Sequence, residues 1–259
     1  TPGPTPIPDD IVEAMTNPMI NHRGPEFDTL INKATEQLKQ VFMTKNDLFI
    51  LTASGTGSLE AAIVNTLSPG DRVIAATAGA FGDRFVDMVE AYGADVKRMD
   101  FEWGGPMDPG VIRKALQAEP NIKAVLVTHN ETSTGVTHPV EEIAKVVKGE
   151  FDKLLLVDAV SSLGCIPLPV DAWDCDMVGT ASQKGFMIPP GLSFISVSER
   201  AWEAQQTASM PRFYFDLAMA KDYLATGQTP FTPNLSAMYG LSRALDILLE
   251  EGMENVFGR

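Results

Sequence analysis

Short apolar segments alternate with amphipathic segments along most of the chain, and this alternation limits the possible folds more than any other feature. Leu154 to Val157 and Ala124 to Val127 are continuous apolar runs of strand length. Pro25 to Met43 and Pro109 to Ala118 instead place apolar residues near helical spacing. Apolar strands separated by helices are typical of a mostly parallel sheet covered by helices on both faces. We therefore predict an α/β protein with three layers.

The predicted elements divide the chain into three parts: an N-terminal arm (1–20), a large domain (21–235), and the start of a helix leading into further structure (236–259). Four prolines in residues 1–8 favour an extended arm, which either docks on the body or a partner subunit, or frays. The predicted strands are 48–51, 72–76, 96–99, 124–127, 154–158, 175–179 and 192–197. The predicted helices are 25–43, 59–67, 84–92, 109–118, 140–147 and 236–252, with 201–227 helical and aromatic.

Composition excludes several classes of protein. A hydrophobic content of 44% with 21% charged residues is that of a folded globular chain rather than a disordered one. A net charge of −14 argues against non-specific nucleic-acid binding. No apolar run reaches the length of a membrane span, and the first residues lack the features of a signal peptide. We therefore expect a cytoplasmic protein without a nucleic-acid or membrane partner.

The cysteines and histidines give no sign of a disulfide framework or a metal site. Cys165 and Cys175 have no histidine at metal-ligand spacing, and the three histidines are scattered. We expect two buried, reduced thiols and no bound metal.

Two charged residues follow apolar runs at the ends of predicted strands. Asp158 ends the run that begins at Leu154, and Lys184 comes shortly after the predicted strand 175–179. An amine can form a Schiff base with an aldehyde cofactor, and a carboxylate can keep a basic ring nitrogen of that cofactor protonated. Lys184 taken alone is better explained as a solvated surface lysine. The interpretation therefore depends on further residues.

The segment Ala53 to Gly57 follows one predicted strand and leads into a helix. Its small residues, hydroxyls and free backbone amides are suited to binding a phosphate. It lacks the Gly-Lys-Ser/Thr of a P-loop, and Glu60 stands where a dinucleotide fingerprint needs a third small residue. In isolation, an ordinary capped helix start is the simpler explanation.

Two more segments follow predicted strands. Thr128 to Gly135 is dense in hydrogen-bond donors, although a hydroxyl-rich turn explains it equally well. Phe81 lies between small residues and is suited to covering a flat ring, although a core aromatic is the commoner outcome. A phosphate-binding turn, an aromatic, a donor loop, a carboxylate and a lysine at strand ends of one sheet are together what a phosphorylated pyridine aldehyde requires.

The sequence resembles the class V, fold-type I aminotransferases that use pyridoxal 5′-phosphate, and most of all the alanine–glyoxylate and serine–glyoxylate group. The resemblance covers nearly the whole chain and is most specific over residues 128–190. It implies a fold-type I large domain followed by a small C-terminal domain. The matching segments are Pro2–Thr5, His22–Phe27, Ser54–Gly57, Thr128–Val136, Val157–Gly164 and Ser182–Lys184.

The resemblance implies a role for each matching residue. Lys184 would form the internal aldimine and then move the proton between the substrate Cα and the cofactor, while Asp158 would pair with the pyridinium nitrogen. Val160 would pack on one face of the ring and Phe81 on the other, where relatives often carry Trp or Tyr. The other implied cofactor contacts are Ser54, Gly55, Thr56 and Gln183 to the phosphate and Thr132 near the ring hydroxyl.

The resemblance also implies a homodimer with its active site at the subunit interface. A neighbouring subunit would reach the phosphate with residues 229–232, but many relatives carry a tyrosine in place of Thr229, so only Thr232 is carried over. In relatives, a small domain after the helix ending near Gly252 supplies an arginine for the substrate carboxylate. No residue here is assigned that role, and we expect either a fragment or the ordered part of a longer protein.

The expected function is transfer of an amino group from a small amino acid, alanine or serine, to a 2-oxo acid such as glyoxylate or pyruvate. Two alternatives remain. A lyase or desulfurase shares the scaffold, but desulfurases need a cysteine on a mobile loop, which we expect of neither Cys165 nor Cys175, and usually stack a histidine where this chain has Phe81. A non-catalytic scaffold subunit would also keep the fold, although Lys184 and Asp158 argue against it.

Overall fold

A computed structural model describes residues 2–259 and contains a seven-stranded sheet with helices on both faces. The strands of this sheet are β1 (Asp47–Leu51), β2 (Arg72–Thr77), β3 (Asp95–Asp100), β4 (Ala124–Thr128), β7 (Leu154–Asp158), β8 (Met177–Ala181) and β9 (Ser193–Val197). The hairpin strands are β5 (Asn130–Glu131) and β6 (Val136–Thr137). The helices are α1 (Asp9–Ala14), α2 (Pro25–Phe42), α3 (Gly55–Thr66), α4 (Ala80–Ala91), α5 (Pro109–Ala118), α6 (Val140–Ala144), α7 (Glu199–Gln205), α8 (Leu217–Leu224), α9 (Leu235–Glu251) and α10 (Met253–Gly258).

The sheet has the strand order β1-β9-β8-β7-β4-β2-β3. Only the two pairs that involve β9 are antiparallel. Alternate residues of the central strands enter two separate cores. Val125 and Val127 lie in a core shared with α2, α5, α6 and α9, whereas Leu126 lies in one shared with α3, α4, α7 and α8. The predicted three-layer α/β fold is confirmed.

The two buried faces explain the continuous apolar runs, since a strand covered on both sides has no solvent-facing residues. Within residues 2–259, no helix has both the length and the apolar character needed to cross a membrane.

Several predicted segments have other bounds in the structure. Helices α3 and α4 begin at Gly55 and Ala80, each four residues earlier than predicted. β8 begins at Met177, two residues later than predicted, because the carboxylate of Asp176 accepts the backbone N–H of Leu155 and ladder pairing with β7 starts one residue further on. The helical prediction for residues 201–227 is only partly right. Pro211 lies in the break between α7 and α8, where a proline cannot continue a helix, and Asp216 caps the start of α8.

Three elements were not predicted. Helix α1 forms within the expected arm, and the hairpin β5–β6 forms within the donor-rich loop. The helix predicted over residues 140–147 is α6 followed by a π-helical segment, Lys145–Glu150. α9 packs against α1 and α2, so residues 235–251 belong to one of the two cores. The division into arm, large domain and C-terminal helix remains a prediction.

One buried ion pair lies at the start of β8. Asp176 is fully buried, and both of its carboxylate oxygens accept bonds at 2.8 Å from the ammonium of Lys148, whose side chain is 7% exposed. The hydroxyl of Ser198 and the backbone N–H of Leu155 donate to the same carboxylate. Burial raises the pKa of Asp176, whereas Lys148 and these bonds oppose that rise. The pair joins the π-helical segment to the two central strands.

We predict that Lys148→Met lowers the free energy of unfolding at neutral pH by about 3–5 kcal/mol, because it leaves a buried carboxylate without its cation. Urea unfolding measures this change. Lys145→Met is the matched control, since Lys145 lies in the same segment, pairs with Glu141 and is 66% exposed; its loss should be below about 1 kcal/mol. Equal losses in the two variants would contradict the prediction.

Candidate active site

The carboxyl ends of β1, β2, β4, β7 and β8 meet along one edge of the sheet, because these strands are mutually parallel. Thr128, Asp158 and Gly179 are aligned across neighbouring strands at this edge. Ligands of such sheets bind beyond the carboxyl ends of the strands.

Asp158 is the last residue of β7 and is 4% exposed. One of its carboxylate oxygens accepts the backbone N–H of Val160 at 2.9 Å, the one hydrogen bond to this side chain within residues 2–259. Burial, and secondarily the charge of Glu131, raises the pKa of Asp158 to about 6. The Val160 bond, Arg84 and Lys184 oppose the rise. The carboxylate is therefore suited to meet a positively charged group.

Lys184 lies three residues beyond β8 and is close enough to Asp158 for each residue to shift the pKa of the other. Its Nζ donates to the backbone carbonyl of Pro2 at 3.0 Å. Partial burial lowers the pKa of Lys184, whereas the negative charge of Asp158 acts in the opposite direction. A lowered pKa brings the amine closer to its neutral, nucleophilic form at physiological pH.

The N-terminal arm docks on this lysine. The backbone N–H of Thr5 donates to the carbonyl of Gln183 at 3.1 Å, and its hydroxyl donates to the carbonyl of Lys184 at 3.1 Å. A Cβ added to Gly3, whose φ is +148°, would lie 2.7 Å from Nζ of Lys184. Of the alternatives for the arm, docking on the body is therefore the one observed, and the backbone of residues 2–3 covers the amine.

The turn Ser54–Thr56 reaches the same region. A Cβ added to Gly55 would lie 2.7 Å from a methyl of Val160 and 3.1 Å from Cβ of Ala181. The turn thus packs on the residues that follow Asp158 and precede Lys184. It also begins α3, whose first backbone N–H groups have no partner within the helix. The N-cap Ser54 does not use its hydroxyl as a cap, so both hydroxyl and amides are available to an anion.

Several buried polar atoms at this edge have no partner within residues 2–259. They include Oε1 of Gln183, beside the lysine, and the hydroxyl of Thr128, aligned with Asp158. Buried polar groups are nearly always hydrogen-bonded, so a ligand or water is expected to satisfy them.

Phe81 and Thr132 lie on two different elements that one carboxylate holds together. Phe81 is the second residue of α4, and Thr132 lies in the turn between β5 and β6. Glu131 accepts the backbone N–H of Phe81 at 3.1 Å. The guanidinium of Arg84 lies 5.0 Å from the centroid of the Phe81 ring.

The burial of Glu131 and the contact of residues 2–3 with Lys184 were not predicted from the sequence. A glutamate within a hydroxyl-rich loop is normally exposed to solvent, yet Glu131 is fully buried. The prolines of residues 1–8 predicted an extended arm, but nothing in the sequence predicted where that arm docks.

Thr232 is not brought together with the other predicted site residues. It lies on an exposed loop, and Arg23 fixes the start of that loop by donating to the carbonyls of Thr229 and Pro230. Its predicted contact is with a neighbouring subunit and remains a prediction.

One expectation about the cysteines is wrong. Cys175 is buried as expected, but Cys165 is exposed. It follows Gly164, whose φ of +80° turns the chain outward after β7, and its sulfur faces Gly185. Burial of the sulfur nevertheless raises the pKa of the Cys165 thiol, which disfavours the reactive thiolate.

The fold is that of the fold-type I pyridoxal phosphate-dependent transferases, and the chain belongs to the class-V aminotransferase family, whose profile matches residues 2–257. A solved alanine–glyoxylate aminotransferase from Nostoc sp. superposes with a TM-score of 0.95 at 34% identity, covering 99% of this chain and 69% of that one.

Two curated relatives match along the whole chain. A serine–glyoxylate aminotransferase of Methylorubrum extorquens is 43% identical, over 100% of this chain and 66% of its own length. A protein of Anabaena cylindrica named as the 42 kDa subunit of soluble hydrogenase is 45% identical, over 100% of this chain and 68% of its own length. The chain thus spans about two thirds of the length of these relatives.

We predict that the cofactor-free protein loses stability through Asp158 as the pH rises. The folded pKa of about 6 exceeds the ordinary value of 3.8, so between these values the folded carboxyl keeps a proton that the unfolded one has lost. Relative to wild type, Asp158→Asn should therefore be more stabilising at about pH 8 than at about pH 3 by roughly 2–3 kcal/mol.

Urea unfolding at the two pH values measures the difference. Glu90→Gln, which removes one exposed carboxylate, is the control. A stability change for Asp158→Asn that is the same at both pH values would contradict the prediction.

Proposed function

We propose that this chain is the cofactor-binding part of a pyridoxal 5′-phosphate-dependent aminotransferase. The observation that carries the proposal is the meeting, at one sheet edge, of a buried carboxylate, an amine with a lowered pKa and an anion-binding turn. Asp158 and Lys184 influence each other electrostatically, and Gly55 packs against Val160, two residues after Asp158, and Ala181, three residues before Lys184.

The residues present fit this cofactor. A carboxylate with a single hydrogen bond, buried at Asp158, suits a protonated ring nitrogen. The unpartnered amide oxygen of Gln183 and the free amides of α3 leave polar groups for a ligand to satisfy. The residues proposed to hold the cofactor are Ser54, Gly55, Thr56, Phe81, Thr132, Asp158, Val160, Gln183 and Lys184, with Thr232 from a second subunit.

When bound, this cofactor supplies an aldehyde that condenses with amines and a protonated ring that accepts the electrons released when a substrate Cα–H bond breaks. Asp158 would keep the ring nitrogen protonated. Lys184 Nζ, with its lowered pKa, would accept the proton from the substrate Cα and later donate it again. The backbone of Pro2 and Gly3 excludes water from the amine on one side.

The proposed substrates are a small amino donor, alanine or serine, and glyoxylate or pyruvate as acceptor. The relatives support this, because one is named a serine–glyoxylate aminotransferase and the solved neighbour an alanine–glyoxylate aminotransferase. A panel of alanine, serine and aspartate against glyoxylate and pyruvate, on the full-length protein, tests the choice. Preferential turnover of aspartate would reject the small-donor proposal and leave the transaminase proposal intact.

The proposed assembly is a cytoplasmic homodimer. Support comes from exposed aromatic residues near the loop that carries Thr232. Phe213 is 69% exposed, Tyr214 44% and Tyr223 37%. Tyr214 stacks on Phe231 with ring centroids 4.7 Å apart. A cluster of exposed aromatics is typical of a surface that another chain covers.

A second candidate is a subunit without aminotransferase activity, which the hydrogenase-subunit name of one relative favours. Colour separates the two. Purified protein that stays colourless after addition of pyridoxal phosphate would support the subunit role. The desulfurase alternative is weaker for two reasons. The pKa of the exposed Cys165 thiol is raised, which disfavours the reactive thiolate. This chain also has Phe81 at the position where desulfurases usually stack a histidine on the cofactor ring.

We predict that Lys184→Ala abolishes both the absorbance of the lysine-linked cofactor and turnover, because it removes the amine that forms the linkage. Absorbance spectra with and without pyridoxal phosphate measure the first effect. Lys114→Ala, at an exposed lysine of α5, is the control and should keep both properties. An unchanged spectrum in Lys184→Ala would defeat the assignment.

We predict that Asp158→Ala still binds the cofactor but transaminates at least about 100-fold more slowly, because the ring nitrogen is no longer kept protonated. Spectral titration and single-turnover kinetics separate binding from chemistry. Wild-type rates in this variant would show that another residue manages the ring nitrogen.

A further inference from the structure

Glu131 is a fully buried carboxylate without a cationic partner. It is 0% exposed, and no lysine or arginine within residues 2–259 forms an ion pair with it. A buried charge is costly unless hydrogen bonds or dipoles compensate it. The compensation therefore has to come from neutral donors.

Four hydrogen bonds supply that compensation. One oxygen accepts the backbone N–H groups of Phe81 and Gly82, at 3.1 and 3.0 Å. The other oxygen accepts the backbone N–H and the hydroxyl of Ser133, at 3.0 and 2.6 Å. The same hydroxyl accepts the backbone N–H of Ala80 at 3.0 Å. Every donor is neutral, and three of the backbone groups are the first amides of α4.

The start of α4 is thus capped by another part of the chain. Its own N-cap residue, Gly79, has no side chain to donate or accept. A Cβ at Gly79 would lie 2.4 Å from Cγ of Glu131 and 2.6 Å from the hydroxyl of Ser133. The glycine therefore leaves the space that the carboxylate occupies, and the helix dipole stabilises the negative charge placed there.

Glu131 lies close to three of the residues proposed to hold the cofactor. It bonds the amide of Phe81, directly precedes Thr132, and is close enough to Asp158 to raise the pKa of that carboxyl. Phe81 and Thr132 belong to elements that are separate in sequence, and the side chains of Glu131 and Ser133 join these elements.

We propose that Glu131 is a positioning residue, which fixes the separation between Phe81 and Thr132 and so sets the shape of the cofactor slot. The proposal rests on the proposed function for its link to the cofactor. Its geometric part does not depend on any ligand: Glu131 accepts the backbone N–H groups of Phe81 and Gly82 and so clamps the start of α4.

Glu131→Gln tests the proposal because it keeps the shape and replaces one acceptor oxygen by an NH₂ group. Two of the four donors then face another donor. In cofactor-free protein we expect faster hydrogen exchange at the amides of Phe81 and Gly82, or of Ser133. In protein with pyridoxal phosphate we expect roughly 10- to 100-fold weaker binding and a reduced circular dichroism band of the bound cofactor. Glu142→Gln, at an exposed glutamate, is the control.

The outcomes separate the two proposals. If wild type binds the cofactor and Glu131→Gln matches it in affinity, circular dichroism and exchange, the positioning role is overturned. If wild type does not bind the cofactor, the proposed function fails, and the exchange rates still decide whether Glu131 clamps α4. If Glu131→Gln does not fold, Ser133→Ala replaces it: a several-fold change in the same direction supports the role, and wild-type values overturn it.

Discussion

The burial of the Asp158 carboxylate at the end of β7 is the constraint on which the site depends. The parallel sheet places this residue between β4 and β8, where 4% of it is exposed and one backbone amide bonds to it. Such a group resists ionisation, which is why its pKa rises to about 6. A cation that binds beside it removes this cost, so that ligand binding and folding stability are coupled through one residue.

The other charges at the sheet edge are arranged around this carboxylate. Lys184 lies within electrostatic range of Asp158, but its ammonium bonds the carbonyl of Pro2. The amine is thus held near the acid and still has a lowered pKa because it is partly buried. Glu131 adds further negative potential at Asp158, which favours a cationic ring over a neutral one. The proposed chemistry needs both groups: the buried carboxylate of Asp158 to pair with the ring nitrogen, and the amine of Lys184 with its lowered pKa to react.

The sequence predicted the fold well because periodicity is a local property. Apolar runs located the central strands, and the strand ends located Asp158, Lys184 and the turn at Gly55, since parallel strands share one carboxyl edge. The features that were not predicted correctly depend on contacts between residues distant in sequence. The start of β8 depends on the bond between Asp176 and Leu155, and the burial of Glu131 depends on amides of α4 some fifty residues earlier. No periodicity encodes such contacts.

The most direct test of the central claim is to identify the lysine that carries the cofactor. The protein is incubated with pyridoxal phosphate, reduced with borohydride, digested and mapped by mass spectrometry. The account predicts a phosphopyridoxyl group on the peptide that contains Lys184 and on no other peptide in stoichiometric amount. Labelling spread over surface lysines, or stoichiometric labelling of a different lysine, would contradict it.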